Sequence, residues 1–377
     1  MSEIWFSRYY EKEKIFRKGK VTILEGPRRV GKTELVRKIL SGRSGNIFTG
    51  SGDNFELQEI FSQKKLTKIL NYLGGYDIVF IDEAQKITDV GAGLKLIVDN
   101  SPETIIIATG SASFDLSNKV GEPLTGRQIK RILFPVSILE LTSQFDKFSV
   151  KQRIDEFLVF GSYPEVLRES NHKDQIEYLL TLRDSYLLKD ILELDNVRYA
   201  EKLFQLLKLL AFQIGNEVSL NGLSNSLGIS KQSVERYLYL LEKAFIIKKV
   251  GGFSRNLRKE ITKSNRYYYW DNGIRNAVIN NFNELGSRDD TGMLWENLMF
   301  IERLKTKEYK RIYRNDYFWR TYDQKEIDLV EEGDGKLFAF EFKYNKTINN
   351  PPKLWTQTYG STFFACVSKE NFFEVLL

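Results

Sequence analysis

Short, unbroken apolar runs alternate with segments of helical periodicity over the first part of the chain. Val21-Thr22-Ile23-Leu24, Asp77-Ile78-Val79-Phe80-Ile81 and Thr104-Ile105-Ile106-Ile107-Ala108-Thr109 read as strands buried on both faces, with Asn46 to Thr49 as a further strand. Between them, Glu34 to Leu40 and Phe55 to Leu73 carry apolar residues at helical spacing. Strand and helix in alternation predict an α/β fold, a three-layer sandwich on a parallel sheet. Beyond Pro135 the period changes. Arg153 to Phe160, Gln175 to Leu188 and Lys202 to Ile214 are helical, interrupted at Gly161-Ser162-Tyr163-Pro164, and predict a helical lid.

Leu220, Leu223 and Leu227 form one short apolar face, and Val234, Leu238 and Leu241 form the next. Gly228-Ile229-Ser230 between them supplies a turn and a helix cap, so the pair predicts a helix-turn-helix, with Phe245 to Phe253 as a wing. The last third predicts an amphipathic helix from Gly292 to about Leu304. Two strands follow, Glu326 to Val330 and Phe338 to Lys343, joined by the hairpin turn Glu331-Glu332-Gly333-Asp334-Gly335. The expected organisation is a P-loop core over residues 1–145, a lid over 146–200, a winged helix over 201–254 and a small α/β domain over 255–377.

Composition narrows the chemistry. A chain of 377 residues exceeds what one core serves, and 42% hydrophobic content with seven prolines describes a folded protein. One cysteine, Cys366, excludes an intramolecular disulfide and a cysteine-based zinc site, which fits a reducing, cytoplasmic location. One histidine, His172, leaves little room for His-based catalysis. No apolar run approaches a membrane span, so no membrane role is expected. A net charge of +6 permits an anionic partner without requiring one.

The strongest chemical signal is Gly26-Pro27-Arg28-Arg29-Val30-Gly31-Lys32-Thr33, placed between a strand and a helix as a P-loop must be. Its backbone N–H groups would cradle the phosphates of ATP, Lys32 would reach the β- and γ-phosphates, and Thr33 would ligate Mg²⁺. Asp82 and Glu83 close the second buried strand. Asp82 is expected in the Mg²⁺ shell and Glu83 beside the attacking water. Ser111, in Gly110-Ser111-Ala112-Ser113, reads as a γ-phosphate sensor or as a plain turn serine. Arg127 reads as an arginine finger, which in trans would need a homo-oligomer, or as a surface cation.

In the helix-turn-helix, Lys231, Gln232, Ser233 and Arg236 would face a DNA groove if the module reads nucleic acid; the alternative is a packing or protein-contact role. From Lys248 to Arg266 there are seven basic residues (Lys248, Lys249, Arg255, Arg258, Lys259, Lys263, Arg266) against the single acid Glu260, which favours phosphates and DNA in particular. The C-terminal hairpin would bring Asp328 close to Glu341 as oxygen ligands for Mg²⁺, with Glu296 as a further carboxylate. Lys343, on the same strand face as Glu341, would orient water or stabilise a pentavalent phosphate. The rival reading is an inactive module that binds a protein partner.

Taken together, these segments resemble prokaryotic AAA-type ATPases that carry a C-terminal domain related to PD-(D/E)xK nucleases. The resemblance rests on Gly26 to Thr33, Phe80-Ile81-Asp82-Glu83-Ala84-Gln85, Gly110 to Ser113 and Gly126-Arg127. It continues through Phe160 to Glu165, Tyr269-Trp270-Asp271-Asn272-Gly273, Gly292 to Asn297, Glu326-Ile327-Asp328 and Glu341-Phe342-Lys343. It implies ATP hydrolysis at Lys32, Asp82 and Glu83, a winged helix and a restriction-endonuclease-like third domain. Glu34 after Thr33, and Ser162 in place of a frequent glycine, depart from the pattern.

Overall fold

The computed structural model describes the chain apart from residues 1–4, 64, 112–123, 189–199, 255–264 and 322, and the side chains of 186–188. Two compact units result, Ser7–Pro135 with the short stretch Lys243–Phe245, and the remainder.

In the first unit the apolar runs form β1 (Val21–Glu25), β2 (Ile47–Ser51), β3 (Ile78–Asp82), β4 (Ile105–Gly110) and β5 (Gln128–Ile132). All pair in parallel in the order β2-β3-β4-β1-β5. Helices α1 (Lys32–Ser41), α2 (Phe55–Ser62), α3 (Leu66–Leu73) and α4 (Val90–Asn100) alternate with the strands. Leu57, Phe61, Ile69 and Leu94 are buried with Val79, Ile81 and Ile106 of the sheet. The strand order decides the site, because β4 lies between β1 and β3 and all three C-terminal ends open on one edge.

The second unit begins with short helices and reaches the expected helix-turn-helix. Leu220–Leu227 and Lys231–Lys243 are the two helices, and Gly228 between them is left-handed at φ 64°. Ser230 accepts a hydrogen bond from the Ser233 N–H at 3.1 Å, which caps the second helix. Strands β6 (Glu217–Val218) and β7 (Ile247–Gly252) each pair antiparallel with β8 (Asn265–Tyr269). Beyond them lie β9 (Asn315–Arg320), β10 (Glu326–Gly333), β11 (Lys336–Phe342) and β12 (Phe363–Val367).

These seven strands form one mixed sheet, β12-β11-β10-β9-β7-β8-β6. The expected break at 254/255 therefore falls inside a sheet. β7 pairs in parallel with β9 through Gly251 and Gly252, and the Phe253 N–H donates to Phe318 O at 2.6 Å. Phe253 is buried at this splice with Trp319, Ile327, Val330, Ala339 and Trp355. The helix Thr291–Lys310 is fastened to β8 by buried Asn297, whose amide accepts from Tyr269 N–H at 2.7 Å and donates to Tyr269 O at 2.9 Å. Among the described residues no helix is long and apolar enough to cross a membrane.

Asp271, just past β8, caps the helix Asn272–Ile279 and also accepts from the Ser162 N–H at 2.7 Å. Its burial raises its pKa from 3.8 to about 6, against the lowering effect of those N–H groups. A carboxyl that binds its proton more tightly when folded subtracts stability as pH rises from the unfolded to the folded value. Asp271→Asn keeps a capping oxygen and removes the charge. Its stability relative to wild type is expected to improve by about 2–3 kcal/mol between pH 4 and pH 7. Urea unfolding at several pH values checks this, and a pH-independent difference refutes it.

Candidate functional site

Gly26, directly after β1, has φ +145°, and a Cβ there would stand 2.1 Å from Leu133 O, so only glycine fits. Arg29 and Gly31 also have positive φ, at 62° and 89°, and curl the loop between Gly26 and α1 into the concave run of backbone N–H groups that binds anions. Lys32 opens α1 and is buried. Its Nζ donates to Gly26 O at 2.9 Å and to Pro27 O at 2.8 Å. Burial lowers its pKa to about 8, while Glu83 and Asp82 pull it upward.

The Thr33 hydroxyl lies 2.9 Å from both Asp82 oxygens, joining the P-loop to the end of β3 across β4. Thr109 of β4 completes the contact. Its hydroxyl donates to Asp82 Oδ1 and accepts from the Glu83 N–H at 3.1 Å. Glu83 itself is left-handed at φ 48°, ψ 42°, an uncommon conformation for a non-glycine residue. Its carboxylate accepts from Gln85 Nε2 and, at 3.3 Å, from the Ser111 hydroxyl. The glycine-bounded loop and buried lysine fit the phosphates of ATP, and the adjacent hydroxyl and carboxylate are the hard oxygen donors that Mg²⁺ takes.

Gly26, Pro27, Arg28, Arg29, Val30, Gly31, Lys32, Thr33, Asp82, Glu83 and Ser111 thus gather at one edge of the sheet. Ala112 and Ser113 lie outside the described residues. Arg127, read as a finger acting in trans or as a surface cation, does not join the cluster. It precedes β5 at the N-terminal end of the sheet, where its carbonyl accepts from Val21 N–H and its guanidinium pairs with Asp99. Three contributors were missed. Thr109 and Gln85 stand inside motifs read for their neighbours. Arg8, upstream of every motif, is buried and donates to Val30 O and to Phe134 O, each at 2.5 Å. An arginine among aromatics in Trp5-Phe6-Ser7-Arg8-Tyr9-Tyr10 was the only signal.

In the second unit the hairpin works as expected. The antiparallel register that pairs Leu329 with Phe340 runs on to set Asp328 beside Glu341. Lys343 Nζ stands 3.2 Å from Asp328 Oδ2 and 2.9 Å from Glu341 Oε2. Burial, reinforced by the Asp328 charge, pushes Glu341 up to about 8. Glu296, the further carboxylate expected from the helix, stands beside the cluster. It is a neighbour of Asp328 through a residue sequence reading had placed on a nucleic-acid surface, Arg266 of β8. Arg266 NH1 lies 3.6 Å from Glu296 Oε1 and 3.7 Å from Asp328 Oδ1, and NH2 lies 2.8 Å from Glu326 Oε2. The Tyr268 hydroxyl donates to Glu296 at 2.8 Å.

The carboxylates are of the type Mg²⁺ takes, but the arrangement does not fit a resident metal ion. Both Asp328 oxygens already face cations of the chain, and no group of three metal-ligating side chains converges among the described residues. Of the basic run, Arg266 is buried, Lys248 lies 3.6 Å from Glu242, Lys249 is exposed, and Arg255, Arg258, Lys259, Lys263 and Glu260 lie outside the described residues. On the second helix of the helix-turn-helix Lys231, Gln232 and Arg236 are exposed and Ser233 is half-buried.

Comparison with known proteins agrees with the class this geometry defines. Residues 18–142 match the AAA domain family. Residues 151–285 and 291–352 match two families described as domains of unknown function, DUF8612 and DUF4143. The chain therefore carries an AAA-type P-loop ATPase domain followed by these two modules. An uncharacterized protein of Mycobacterium tuberculosis is 26% identical over 331 residues, covering 87% of this chain and 71% of the relative. One from Methanocaldococcus jannaschii is 25% identical over 351 residues, covering 87% and 76%. Domain III of the Thermotoga maritima replication initiation protein DnaA is 16% identical with a TM-score of 0.29, covering 62% of this chain and 87% of that one, a likeness too slight to bear on function.

Arg8 ties the P-loop at Val30 O to Phe134 O beyond β5. Arg8→Met strands both acceptors and is expected to destabilise by about 1–3 kcal/mol in chemical denaturation. It is also expected to weaken binding of a fluorescent ATP analogue. Wild-type values in both measurements would show that Arg8 only fills space.

Proposed function

We propose that the protein hydrolyses ATP with Mg²⁺ and uses the cycle to control a nucleic-acid-directed second unit. The observation that carries the ATPase half is the junction at the sheet edge, where Thr33, Asp82, Thr109, Glu83 and Ser111 form one hydrogen-bonded chain beside Lys32. Lys32 leaves the Gly26 and Pro27 carbonyls for the β- and γ-phosphates and brings a charge whose burial the phosphates compensate. Thr33 and Asp82 would hold the Mg²⁺ that comes with ATP, which would supply charge neutralisation on the phosphates. Glu83, aimed by its left-handed backbone, orients the attacking water. Ser111 touches Glu83 and reports the γ-phosphate to it, so loss of that phosphate is a local charge change able to drive the switch.

The nucleic-acid half is supported by the exposed Lys231, Gln232 and Arg236 and by the convergence of Asp328, Glu341 and Lys343. Since chain cations already neutralise those carboxylates, the C-terminal cluster is a latent nuclease site rather than a constitutive one. A second reading, a protein-binding module, is favoured by a different feature. A cavity of about 280 Å³ beside the helix Lys231–Lys243 is lined by Leu220, Leu238, Tyr239 and Tyr267 together with Glu235, Glu242 and Lys249, a mixed apolar and charged lining suited to a protein segment.

Glu83→Gln is expected to bind ATP normally and to lose about 10²–10⁴-fold in phosphate release, whereas Lys32→Ala loses binding as well. Undiminished turnover in Glu83→Gln sinks the assignment. For the partner, anisotropy of labelled duplex DNA titrated against salt separates the readings. A steep fall of affinity with salt is expected for nucleic acid, and absence of binding at low salt leaves the protein-partner reading.

A further inference from the structure

Arg266 is the feature that the ATPase reading leaves unused. It is 1% exposed, an unusual setting for a guanidinium, and it belongs to the winged-helix strand β8 rather than to the hairpin that bears Asp328 and Glu341. Its plane lies over Phe318 of β9, with the guanidinium carbon 4.6 Å from the ring centroid, so its position is held from below by an aromatic face. From there it meets three carboxylates at once, Glu326 at 2.8 Å, Glu296 at 3.6 Å and Asp328 at 3.7 Å. Lys343 meets Asp328 and Glu341 from the other side, at 3.2 Å and 2.9 Å. Tyr268, two residues along the same strand and hence on the same face, donates to Glu296 at 2.8 Å.

Four carboxylates therefore share two cations of the chain. Glu296, Glu326, Asp328 and Glu341 thus face Arg266 and Lys343. The oxygens a divalent cation would use are turned toward the guanidinium and the ammonium. A fixed guanidinium a few ångströms from a carboxylate pair repels any second cation placed there, and the repulsion is strong where solvent is scarce.

We propose that Arg266 is an internal counter-ion that keeps divalent metal out of the Asp328–Glu341 cluster. The cluster is a metal site in its ligand chemistry and a closed ion-pair network in its resting geometry. Metal enters when Arg266 is removed from it. Because Arg266 rides on β8, the winged helix holds the key to the C-terminal carboxylates. The relevance of this exclusion to cleavage rests on the nuclease reading above, but the exclusion itself does not.

Mn²⁺ uptake by the full chain without nucleotide, read from the electron paramagnetic resonance of free Mn²⁺, tests this directly. Arg266→Met is expected to bind one Mn²⁺ about 10–100-fold more tightly than wild type. Adding Asp328→Asn in that background is expected to abolish the gain, and Arg266→Lys, which retains the charge, to behave like wild type. Circular dichroism and thermal melting establish that the variants fold. The proposal is overturned if folded Arg266→Met gains nothing, or if wild type already takes up Mn²⁺ tightly in a way that Asp328→Asn removes. Should Arg266→Met not fold, Arg266→Gln replaces it, and the wild-type comparison with Asp328→Asn decides the matter if neither folds. An Arg266→Met protein that binds Mn²⁺ and never cuts DNA or RNA leaves the inference standing and refutes the nuclease reading.

Discussion

A charge taken out of water must be met by an opposite charge or by aimed dipoles, and both functional regions are built around that requirement. In the first unit the buried ammonium of Lys32 rests on two loop carbonyls while two carboxylates stand near enough to hold its pKa up. That rest position is provisional, since phosphates satisfy the same ammonium better. In the second unit the buried guanidinium of Arg266 is met by full charges, and Phe318 lies beneath it. The first arrangement is open to an anion. The second is closed to a cation.

The contrast also explains what the carboxylates can do. Asp82 is held by hydroxyls, Thr33 and Thr109, which direct its oxygens without cancelling its charge. Asp328 is held by an ammonium and a guanidinium, which do cancel it. Two aspartates that look alike as strand-borne acids therefore differ in their appetite for metal.

Sequence reading recovered what is local. The P-loop, the β3 acids and the hairpin acids are contiguous or separated by a short turn, so spacing alone carries their geometry. It failed where geometry depends on distant strands. Arg8 reaches the P-loop from upstream of β1, and Arg266 reaches Asp328 because β7 pairs with β9, an adjacency no short motif encodes. Arg266 was read as part of a cation cluster suited to phosphates; its neighbours on the sheet made it a core residue instead. For Arg127 the motif was recognisable but left two roles open, and the parallel register sets it at the far end of the sheet from the P-loop. The buried apolar runs, by contrast, marked β1, β2, β3 and β4 of the first sheet.

The splice of β7 onto β9 has a consequence for how the chain can be divided. The two family matches end and begin between residues 285 and 291, yet the strands on either side belong to one sheet. Excising either module there would bare the backbone edge of β7 or β9 and uncover Phe253 or Trp319, an invitation to intermolecular pairing. The two matched segments are distinct in sequence but share one sheet as folded objects.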